Sequence, residues 1–586
     1  MMGLTGTLVP HLGNLSFLVS LNLSVNNFQG VLPPQLVRLR RLKVVDFESN
    51  TLSGEIPPWF GSFSTLQFLS LGNNSFTGSI PPSLSNASRL ESLDLSFNPL
   101  QGRIPREIGS LRNLKNLRLQ YNQLSGFVPS SLFNLSKKLQ VLSLSHNKFD
   151  GPIPRELGNL RMLEILYLGA NNTLVINGNY LTGHIPSSIC NLTYLNYLHL
   201  SKNNLGGPIP ECLIANLTKY LRVLHLKENR FKGPIPTTFA WGCRLESLNL
   251  NGNSLEGAFP RSMVKCRSLQ VVDVRNNGVR DEFPFWVETL PELRVLVLRS
   301  NIFHGPILHS PKTSTNNNNS IPFPKLQVFD ISRNAFTGFL PGAYFKSFKA
   351  MINLKENITA DNENWFSSYQ EPMVFVLKGL ELEVERILTT FTTIDLSDNK
   401  FNGSIPPSIG DLNSLRYLNL SHNRLTGHIP ASLGNATSVL ESLDLSSNRL
   451  VGHIPWQLTK LPFLSKLNLS RNILVGPIPQ PTVGQFPTFD NSSYMENSGL
   501  CGLPLTRKCI EDDVQPSIQM SPQQDDGSAF FDGFCWQVVV LGYGCGVILG
   551  VILGCVIFRH EKTKWILGLF FSAQYYKRGN AAPRGA

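Results

Sequence analysis

The sequence predicts an α/β solenoid, a stack of short coils with a parallel β-sheet along one face. Asn26, Asn50, Asn74, Asn98 and Asn122 follow one another at intervals of 24 residues. Around each asparagine the same frame recurs, L-x-x-L-x-L-x-x-N-x-L-x-G-x-I-P, and its register returns about seventeen times before position 480. One unit of this length cannot bury its leucines alone, so neighbouring units must stack. Such a stack makes a long surface rather than a catalytic pocket.

Each position of the frame has a physical reason. In the fourth unit Leu93 and Leu95 alternate with polar residues, which places both leucines on the inner face of a short strand. Asn98 follows at the turn, where its amide can satisfy backbone groups of its own coil and the adjacent one. Gly102 permits a tight bend, and Pro105 fixes an extended, non-helical return on the convex side. Proline in nearly every unit argues against an array of amphipathic helices, because helices do not tolerate interior proline.

The Gly-x-Ile-Pro ending of the frame, as in Gly78-Ser79-Ile80-Pro81, resembles the plant extracellular class of leucine-rich repeat. The resemblance covers nearly the whole chain. It implies a curved, twisted right-handed superhelix with the parallel sheet on the concave face. We expect two blocks of repeats, residues 1–341 and residues 391–479.

The period breaks at three places. A small insertion lies between Asn171 and Asn179, and a low-complexity run of asparagines, 316–319, lies in the next long interval. The largest break leaves residues 342–390 without a repeat. A long interruption between regular repeats is often a loop over the binding face, although a tolerated surface insertion is the alternative. The segment 378–383 is similar to the end of the island in plant receptor-like proteins, which favours a functional island.

A C-terminal cap is expected at residues 480–510, because an open solenoid end exposes a layer of core. Cys501 and Cys509 suit a disulfide in an oxidising compartment, and the resemblance to the family's C-terminal cap implies the same pair. Cys243 and Cys266 precede the first leucine of consecutive repeats, so they form either a bridge or two buried thiols. The sequence leaves the state of the other ectodomain cysteines, Cys190 and Cys212, undecided.

A single transmembrane helix is expected at residues 534–558. Positions 538–558 carry no charge and are long enough to cross a hydrocarbon core of about 30 Å. An acidic juxtamembrane segment, 511–533, precedes the span, and a basic tail, 559–586, follows it. The basic side belongs in the cytoplasm, which predicts a single-pass plasma-membrane protein with extracellular repeats. The net charge of +12 is therefore partly a topology signal, and no basic run with interleaved aromatics indicates a nucleic-acid partner.

Glycines recur every four residues in this predicted span, at Gly542, Gly546, Gly550 and Gly554. They fall along one helix face, where the absence of side chains lets a second membrane helix approach closely. We expect this face to dock the helix of a receptor kinase.

Fifteen Asn-x-Ser/Thr sequons precede the predicted span and fit a secreted, glycosylated surface. They begin at Asn14, Asn22, Asn73, Asn86, Asn134, Asn171, Asn191, Asn216, Asn318, Asn357, Asn402, Asn419, Asn435, Asn468 and Asn491. The N-terminus departs from the family pattern, because it has no signal-peptide features and opens inside a repeat. The cysteine-bearing N-terminal cap of the family is missing too, so we interpret the sequence as N-terminally truncated.

Large or charged residues cluster at the outward positions of the central strands, where ligand contacts are expected. Aromatic and arginine side chains are common binding anchors. Ordinary variation on a solvated sheet face is the alternative for each residue. The candidates are Arg118, Gln120, Tyr167, Tyr197, His199, His225, Lys227, Arg275 and Arg299.

Catalytic motifs are not found: no glycine-rich loop with a following lysine, His-Arg-Asp or Asp-Phe-Gly follows the predicted span. Asp94, Asp395 and Asp444 recur at repeat positions and do not converge on a nucleophile. No zinc-type spacing of cysteines occurs. We expect a protein that is not an enzyme and has no cofactor or metal.

These features together resemble plant receptor-like proteins of the Cf and Ve type, which look like receptor kinases without the kinase. The resemblance implies an extracellular peptide, protein or glycan ligand, an adaptor receptor kinase and a co-receptor kinase. It favours a receptor in plant defence. The alternatives are an inhibitor similar to plant polygalacturonase-inhibiting proteins, or a non-functional receptor fragment.

Overall fold

The computed structural model describes residues 3–134, 137–169, 179–307, 321–353, 373–377, 380–384, 390–435, 439–481 and 484–509. Within these ranges the chain forms the expected solenoid, and each coil contributes one three-residue strand to a long parallel sheet of seventeen strands. Each strand pairs in register with the strand of the next coil, so Leu93 lies opposite Leu69 on one side and Leu117 on the other. The pairing also continues across the largest interruption, where Phe329 lies opposite Ile394. The strands of this long sheet are Ser20–Asn22, Val44–Asp46, Phe68–Ser70, Ser92–Asp94, Asn116–Arg118, Val141–Ser143, Ile165–Tyr167, Tyr197–His199, Val223–His225, Ser247–Asn249, Val271–Asp273, Val295–Val297, Val328–Asp330, Thr393–Asp395, Tyr417–Asn419, Ser442–Asp444 and Lys466–Asn468.

A second set of short parallel strands follows the ladder asparagines and forms four smaller sheets. These are Thr5–Thr7, Asn27–Val31, Thr51–Glu55 and Ser75–Thr77 in the first sheet; Gln101–Gly102, Gln123–Phe127, Lys148–Pro152, Tyr180–Gly183, Asn204–Gly207, Arg230–Pro234, Ser254–Gly257 and Gly278–Val279 in the second; His304–Pro306, Ala335–Phe339, Lys400–Gly403 and Arg424–Leu425 in the third; and Val451–Gly452, Ile473–Pro477 and Gly499–Cys501 in the fourth. The repeated glycine of the frame lies in these strands, where Gly102 has a φ of +79° that favours a residue without Cβ.

Most coils return through one turn of 3₁₀ helix. Pro105 is extended, with φ −61° and ψ 132°, as the sequence predicts, but the residues directly after it form a helix. The interpretation of a non-helical return therefore missed this turn, which proline accommodates at its N-terminal end. The 3₁₀ helices are Pro10–Asn14, Pro34–Arg38, Pro58–Ser62, Pro82–Asn86, Arg106–Ser110, Ser130–Asn134, Arg155–Asn159, Ser187–Asn191, Leu217–Lys219, Arg261–Lys265, Phe285–Thr289, Pro407–Asp411, Trp456–Lys460, Phe486–Thr488 and Asn491–Ser493, and the α-helices are Glu211–Ala215, Gly342–Phe345, Lys349–Ile352 and Ser432–Asn435.

The core is one continuous cluster of the frame leucines and their aromatic substitutes. The predicted burial is confirmed for Leu95, Leu119, Leu144, Leu420 and Leu445. The asparagines form the predicted interior ladder. The Oδ1 atom of each accepts a backbone N–H of the preceding coil, and its Nδ2 donates to carbonyls of both coils, as Asn98 does with the N–H of Phe76 at 2.9 Å and the carbonyl of Leu71 at 3.0 Å. Each ladder asparagine therefore satisfies buried backbone groups that the tight turn leaves unpaired.

The residue before the ladder asparagine has a left-handed backbone in most coils. Phe97, Lys202 and Glu228, for example, each have a φ of 53°. Residues other than glycine seldom adopt this conformation, and it costs free energy. Closure of the coil imposes this left-handed conformation on every side-chain type. The conformation directs the side chain away from the leucine core.

In the part of the chain that the structure describes, three disulfides join neighbouring coils or close the cap. Cys501 and Cys509, the pair for which the sequence predicts a bridge, are joined with their Cα atoms 5.0 Å apart. The structure also joins Cys243 to Cys266 and Cys190 to Cys212, which the sequence left open. Phe486, Phe489 and Tyr494 are buried over the last coil and cover its open end.

The interrupted region begins with residues that belong to the core. Phe345, Phe348 and Met351 are fully buried, and the Tyr344 hydroxyl donates to Glu288 at 2.7 Å. Farther on, Met373–Leu377 and Leu380–Val384 pair as an antiparallel hairpin.

The predictions for 354–372, for the asparagine run 316–319 and for everything after residue 509 fall outside the described ranges. Among the residues that the structure describes, no helix is long and apolar enough to cross a membrane. The predicted span at 534–558, with its four glycines, therefore stays a prediction.

Candidate ligand-binding surface

The outward face of the long sheet carries two columns of side chains. The first column holds the last residue of each strand, because adjacent strands pair in register, as Tyr167, His199 and His225 do. The second column holds the residue two positions later in each coil. Of the predicted ligand contacts, Arg118, Tyr167, His199 and His225 lie in the first column, Gln120, Lys227, Arg275 and Arg299 lie in the second, and Tyr197 opens its strand.

Three of the predicted residues form a row of rings across consecutive strands. The ring centroids of Tyr167 and His199 are 4.5 Å apart, and those of His199 and His225 are 4.6 Å apart, both in edge-to-face arrangements. The His225 Nε2 atom lies 2.8 Å from the hydroxyl of Ser247 on the next strand. Edge-to-face pairs at this separation are favourable beyond the area that they bury. The row is therefore ordered rather than a set of independent surface side chains.

On the following strands, buried charged side chains occupy the outward face in place of aromatic rings. The Arg275 guanidinium lies 3.3 Å from the Asp273 carboxylate, with side chains only 6% and 0% exposed. The Arg299 guanidinium lies 3.9 Å from Asp395, which belongs to the coil after the interruption. The recurrence of aspartates at repeat positions did not indicate these ion pairs. For Asp273 and Arg275 a signal was present, because an outward acid and an outward arginine fall two residues apart in one coil.

Burial makes these aspartates unusual acids. It raises the pKa of Asp395 to about 7, and the carboxylate of Asp330 on the adjacent strand acts in the same direction. Hydrogen bonds from Ser397 and the charge of Arg299 oppose the shift without cancelling it. The pKa of Asp273 is likewise raised by burial. This part of the face can therefore change its charge near neutral pH.

A cleft of about 280 Å³ opens beside Arg299 on the last four repeats. Buried Asp395 lies in its floor, and the exposed side chains of Arg333, Asp398 and Lys466 line its rim. Tyr417 contributes a half-buried ring whose hydroxyl donates to Glu441 at 3.0 Å. The cleft thus offers both signs of charge and an aromatic ring within one small space.

The remaining candidates have separate partners. The Arg118 guanidinium lies 3.6 Å from Asp94 and is half exposed. The Tyr197 hydroxyl accepts from Arg222 at 3.2 Å, and Arg222 also holds Glu246 through two hydrogen bonds. The structure therefore brings the middle of the predicted set together and leaves Arg118 and Tyr197 in local pairs.

An aromatic stack that was not predicted from the sequence lies at the edge of the sheet. Phe97, Tyr121 and His146 each precede a ladder asparagine, in three consecutive coils. Their ring centroids are 4.2 Å and 4.0 Å apart, with planes inclined by 12° and 10°. The stack borders a cavity of about 540 Å³ that Gln123 and Lys148 also line. The available signal was a ring at the same frame position in three successive units.

We expect acidification to weaken the coils around this stack. Burial lowers the pKa of His146 to about 4, and the charge of Lys202 acts in the same direction. The unfolded chain binds the proton more readily, so the stabilisation by neutral His146 is complete above about pH 6.5 and is lost as pH falls toward 4. Between pH 7 and pH 5 the loss is about 2 kcal/mol. Burial of Asp395 acts in the opposite direction over the same interval. The loss is therefore measured by urea unfolding of wild type and His146→Phe at both pH values, as the difference between their pH dependences.

The variant His146→Phe keeps a stacked ring that does not titrate, so it should lose most of this pH dependence. The matched variant His453→Phe, at an exposed position, should keep it. Equal pH dependence in wild type and His146→Phe would contradict the assignment.

Family comparisons agree with the frame. The family described as Leucine rich repeat matches residues 112–172. The family described as Leucine Rich Repeat matches residues 41–63, 65–87, 89–111, 162–192, 194–215, 244–266, 390–412, 414–436 and 439–461. The matches fall on both sides of the interruption, so both blocks consist of the same unit.

Curated relatives come from Arabidopsis thaliana. Receptor-like protein 53 is 43% identical over 289 residues, which are 49% of this chain and 29% of that relative. Receptor-like protein 34 is 44% identical over 290 residues, which are 49% of this chain and 28% of that relative. The match thus spans less than a third of the length of either relative.

Solved structures match most of the described fold. The plant peptide hormone receptor RGFR1 in complex with RGF2 superposes with a TM-score of 0.67 at 30% identity, over 85% of this chain and 73% of that chain. The Arabidopsis receptor kinase HAESA, in complex with the peptide hormone IDA and the co-receptor SERK1, gives 0.56 at 30% identity, over 86% and 87%. The chain therefore belongs to the leucine-rich-repeat proteins, with Arabidopsis receptor-like proteins as its homologues and plant leucine-rich-repeat receptor ectodomains as its structural neighbours.

Proposed function

We propose that this chain is a cell-surface receptor-like protein that binds an extracellular peptide and signals through a partner receptor kinase in plant defence. Its repeats face the outside, and the predicted span at 534–558 holds it in the plasma membrane. The names of its relatives and the peptide complexes among its structural neighbours support a receptor. The observation that carries the proposal is the ordered row of rings and charges that ends in the cleft beside Arg299.

The chemistry of this face suits a peptide better than an apolar ligand. Buried pairs such as Arg275 with Asp273 give it a rigid polar floor. The exposed rim of the cleft, with Arg333, Asp398 and Lys466, offers both charges to the termini or side chains of a peptide. Complementary charges of this kind raise association rates and exclude wrong partners more than they add raw affinity.

The resemblance to receptor-like proteins, which look like receptor kinases without the kinase, supports signalling through a kinase from elsewhere. The HAESA complex includes a co-receptor, which supports the same arrangement here. For this chain we propose an adaptor receptor kinase, docked on the predicted face of Gly542, Gly546, Gly550 and Gly554, and a ligand-recruited co-receptor kinase.

Photo-crosslinking on plant cells tests the binding face. The full chain would carry a benzoylphenylalanine at position 167 or 417, with position 127 as the control, since Phe127 is exposed on a strand outside the long sheet. Illumination in the presence of a peptide fraction from leaf extracellular fluid should attach peptides at the first two positions and not at 127. Mass spectrometry identifies the attached peptides and the kinases that co-purify.

Charge-reversal variants test whether the rim of the cleft binds the peptide. Arg333→Glu should lower the cross-linking yield about tenfold, the loss expected for a binding anchor. The matched variant Arg106→Glu, whose side chain is 85% exposed outside the long sheet, should leave the yield unchanged. Equal yields at all three positions, or equal effects of the two reversals, would place binding elsewhere.

A further inference from the structure

Asn73 occupies the same column as the aromatic stack, one coil before Phe97. Asn73, Phe97, Tyr121 and His146 each have left-handed backbones and precede a ladder asparagine in successive coils. The backbone N–H of Asn73 donates to Ser96 at 2.9 Å, and that of Phe97 donates to Gln120 at 2.9 Å, so the coils are in register here. Neighbouring members of the column are therefore separated by one strand spacing, about 4.8 Å.

One face of the Phe97 ring is directed toward the coil of Asn73. The three ring planes are nearly parallel, so their normals run along the column, and Tyr121 covers the other face of Phe97. On the open side the Asn73 side chain is shorter than the ring, and its Nδ2 donates to Ser49 one coil farther away. Phe97 is 46% exposed, so the ring at this end of the stack is only partly covered.

Asn73 also begins a sequon, Asn73-Asn74-Ser75. Its side chain and that of Ser75 are exposed. Asn74 cannot serve as the acceptor, because it begins no sequon and its Nδ2 donates to the Phe47 carbonyl at 2.9 Å inside the ladder. In the structure Nδ2 faces Ser49, away from Phe97. The exposed Asn73 side chain can rotate to another staggered rotamer, and a sugar joined to Nδ2 in that rotamer would reach the level of the Phe97 ring.

We propose that Asn73 carries an N-linked glycan whose first sugar ring packs on Phe97 and extends the stack of Phe97, Tyr121 and His146. The C–H groups on one face of a pyranose ring carry partial positive charge and suit the negative face of an aromatic ring. The polar side chains of Gln123 and Lys148 border the same cavity.

Attachment of the glycan to Asn73 is a group transfer that needs neither an oxidant nor a reductant. Asn73 Nδ2 attacks the anomeric carbon of an oligosaccharide carried on a polyprenyl diphosphate. The carbon–oxygen bond to the diphosphate breaks, the lipid diphosphate leaves, and the amide nitrogen gives up one proton. Ser75, whose hydroxyl completes the sequon, lies two residues after the modified asparagine.

Site-resolved glycan analysis tests this inference, which rests on the extracellular placement in the proposed function. The full chain would be purified from plant cells and its glycopeptides quantified at each sequon. Release by an endoglycosidase under native conditions would then be timed at Asn73 and at Asn14, an exposed site. Release at Asn73 should be about fivefold slower, the factor expected for a ring contact of ordinary aromatic strength.

Substitution of Phe97 separates stacking from mere attachment. Phe97→Ala should bring the release rate at Asn73 up to that at Asn14, whereas Phe97→Tyr should keep the slow rate. The matched variant Phe127→Ala removes an exposed ring far along the sequence from the sequon and should change nothing. Glycan occupancy at Asn14 in each variant reports that the chain still folds and leaves the secretory pathway.

Two results would overturn the inference. One is an unmodified Asn73 in a chain whose other sequons carry glycans, and the other is an equal release rate in wild type and Phe97→Ala. A chain without glycan at any sequon would overturn it together with the extracellular placement, so the two failures can be told apart.

Discussion

Leu420→Asp should destabilise the last four repeats by about 4 kcal/mol or more. Leu420 is fully buried, directly after the strand Tyr417–Asn419. The change removes the packing of a leucine, which alone costs about 2–5 kcal/mol, and also buries a carboxylate with no cation beside it in the leucine core. Because each coil contacts only its neighbours, the loss should spread through the adjoining coils rather than the whole array.

Hydrogen exchange followed by mass spectrometry resolves this effect peptide by peptide. Exchange should accelerate in residues 390–481 much more than in residues 3–134. Leu420→Ala measures the packing loss alone and should have the smaller effect. Phe463→Asp, at a side chain that is 59% exposed, should change stability by no more than about 0.5 kcal/mol. Similar exchange in Leu420→Asp and Phe463→Asp would show that Leu420 does not belong to the core.

The second large effect is expected from the asparagine ladder. Asn147 is fully buried, accepts from the N–H of Leu124 at 3.0 Å and donates to the carbonyl of Leu119 at 2.9 Å. Asn147→Leu keeps a similar volume but leaves those backbone groups buried without their partner. One unpaired buried N–H costs about 1–3 kcal/mol, and the abandoned carbonyls bring the expected loss to about 3 kcal/mol.

Urea unfolding of the ectodomain measures this loss, with Asn27→Leu as the matched control because Asn27 is exposed. Asn147→Asp adds a second comparison, since it keeps the acceptor for Leu124 but removes both donors. The decrease in the free energy of unfolding should differ between Asn147→Asp and Asn147→Leu. A decrease near zero for both variants would mean that the hydrogen bonds of the ladder do not stabilise the fold.

The periodic part of the fold was predictable from the sequence because side-chain type determines it directly. Leucine positions such as Leu95 and ladder positions such as Asn98 need one chemistry each, so their spacing gives the strands, the core and the turns. The left-handed residue before each ladder asparagine was not predictable. Phe97, Lys202 and Glu228 all adopt that conformation. Closure of the coil therefore imposes it, and the residue type at this position does not indicate it.

The candidate surface was predictable in outline only. Alternation along each strand identified the outward positions of His199, His225 and Arg299. Their burial and their partners depend on side chains one coil away, and for Arg299 the partner Asp395 lies beyond the interruption. A single strand therefore cannot show whether its outward residue is a solvated side chain or part of an ordered row.

The continuation of the long sheet across the interruption also has a consequence for how the chain folds during synthesis. The Asn399 side chain accepts from Phe336, 63 residues earlier, whereas Asn448 accepts from Leu425, 23 residues earlier. Closing the longer loop costs only about 0.9 kcal/mol more at equilibrium, but it delays the contact in time, because non-local pairings form slowly.

Coils before the interruption can add one by one as they leave the ribosome, each on a finished neighbour. The coil that begins at Thr393 must instead wait for the intervening segment and then find the exposed end of the first block. Docking of the last four coils should therefore be the slow step of folding, and the strand Val328–Asp330 is the edge that stays open to wrong partners until it is complete.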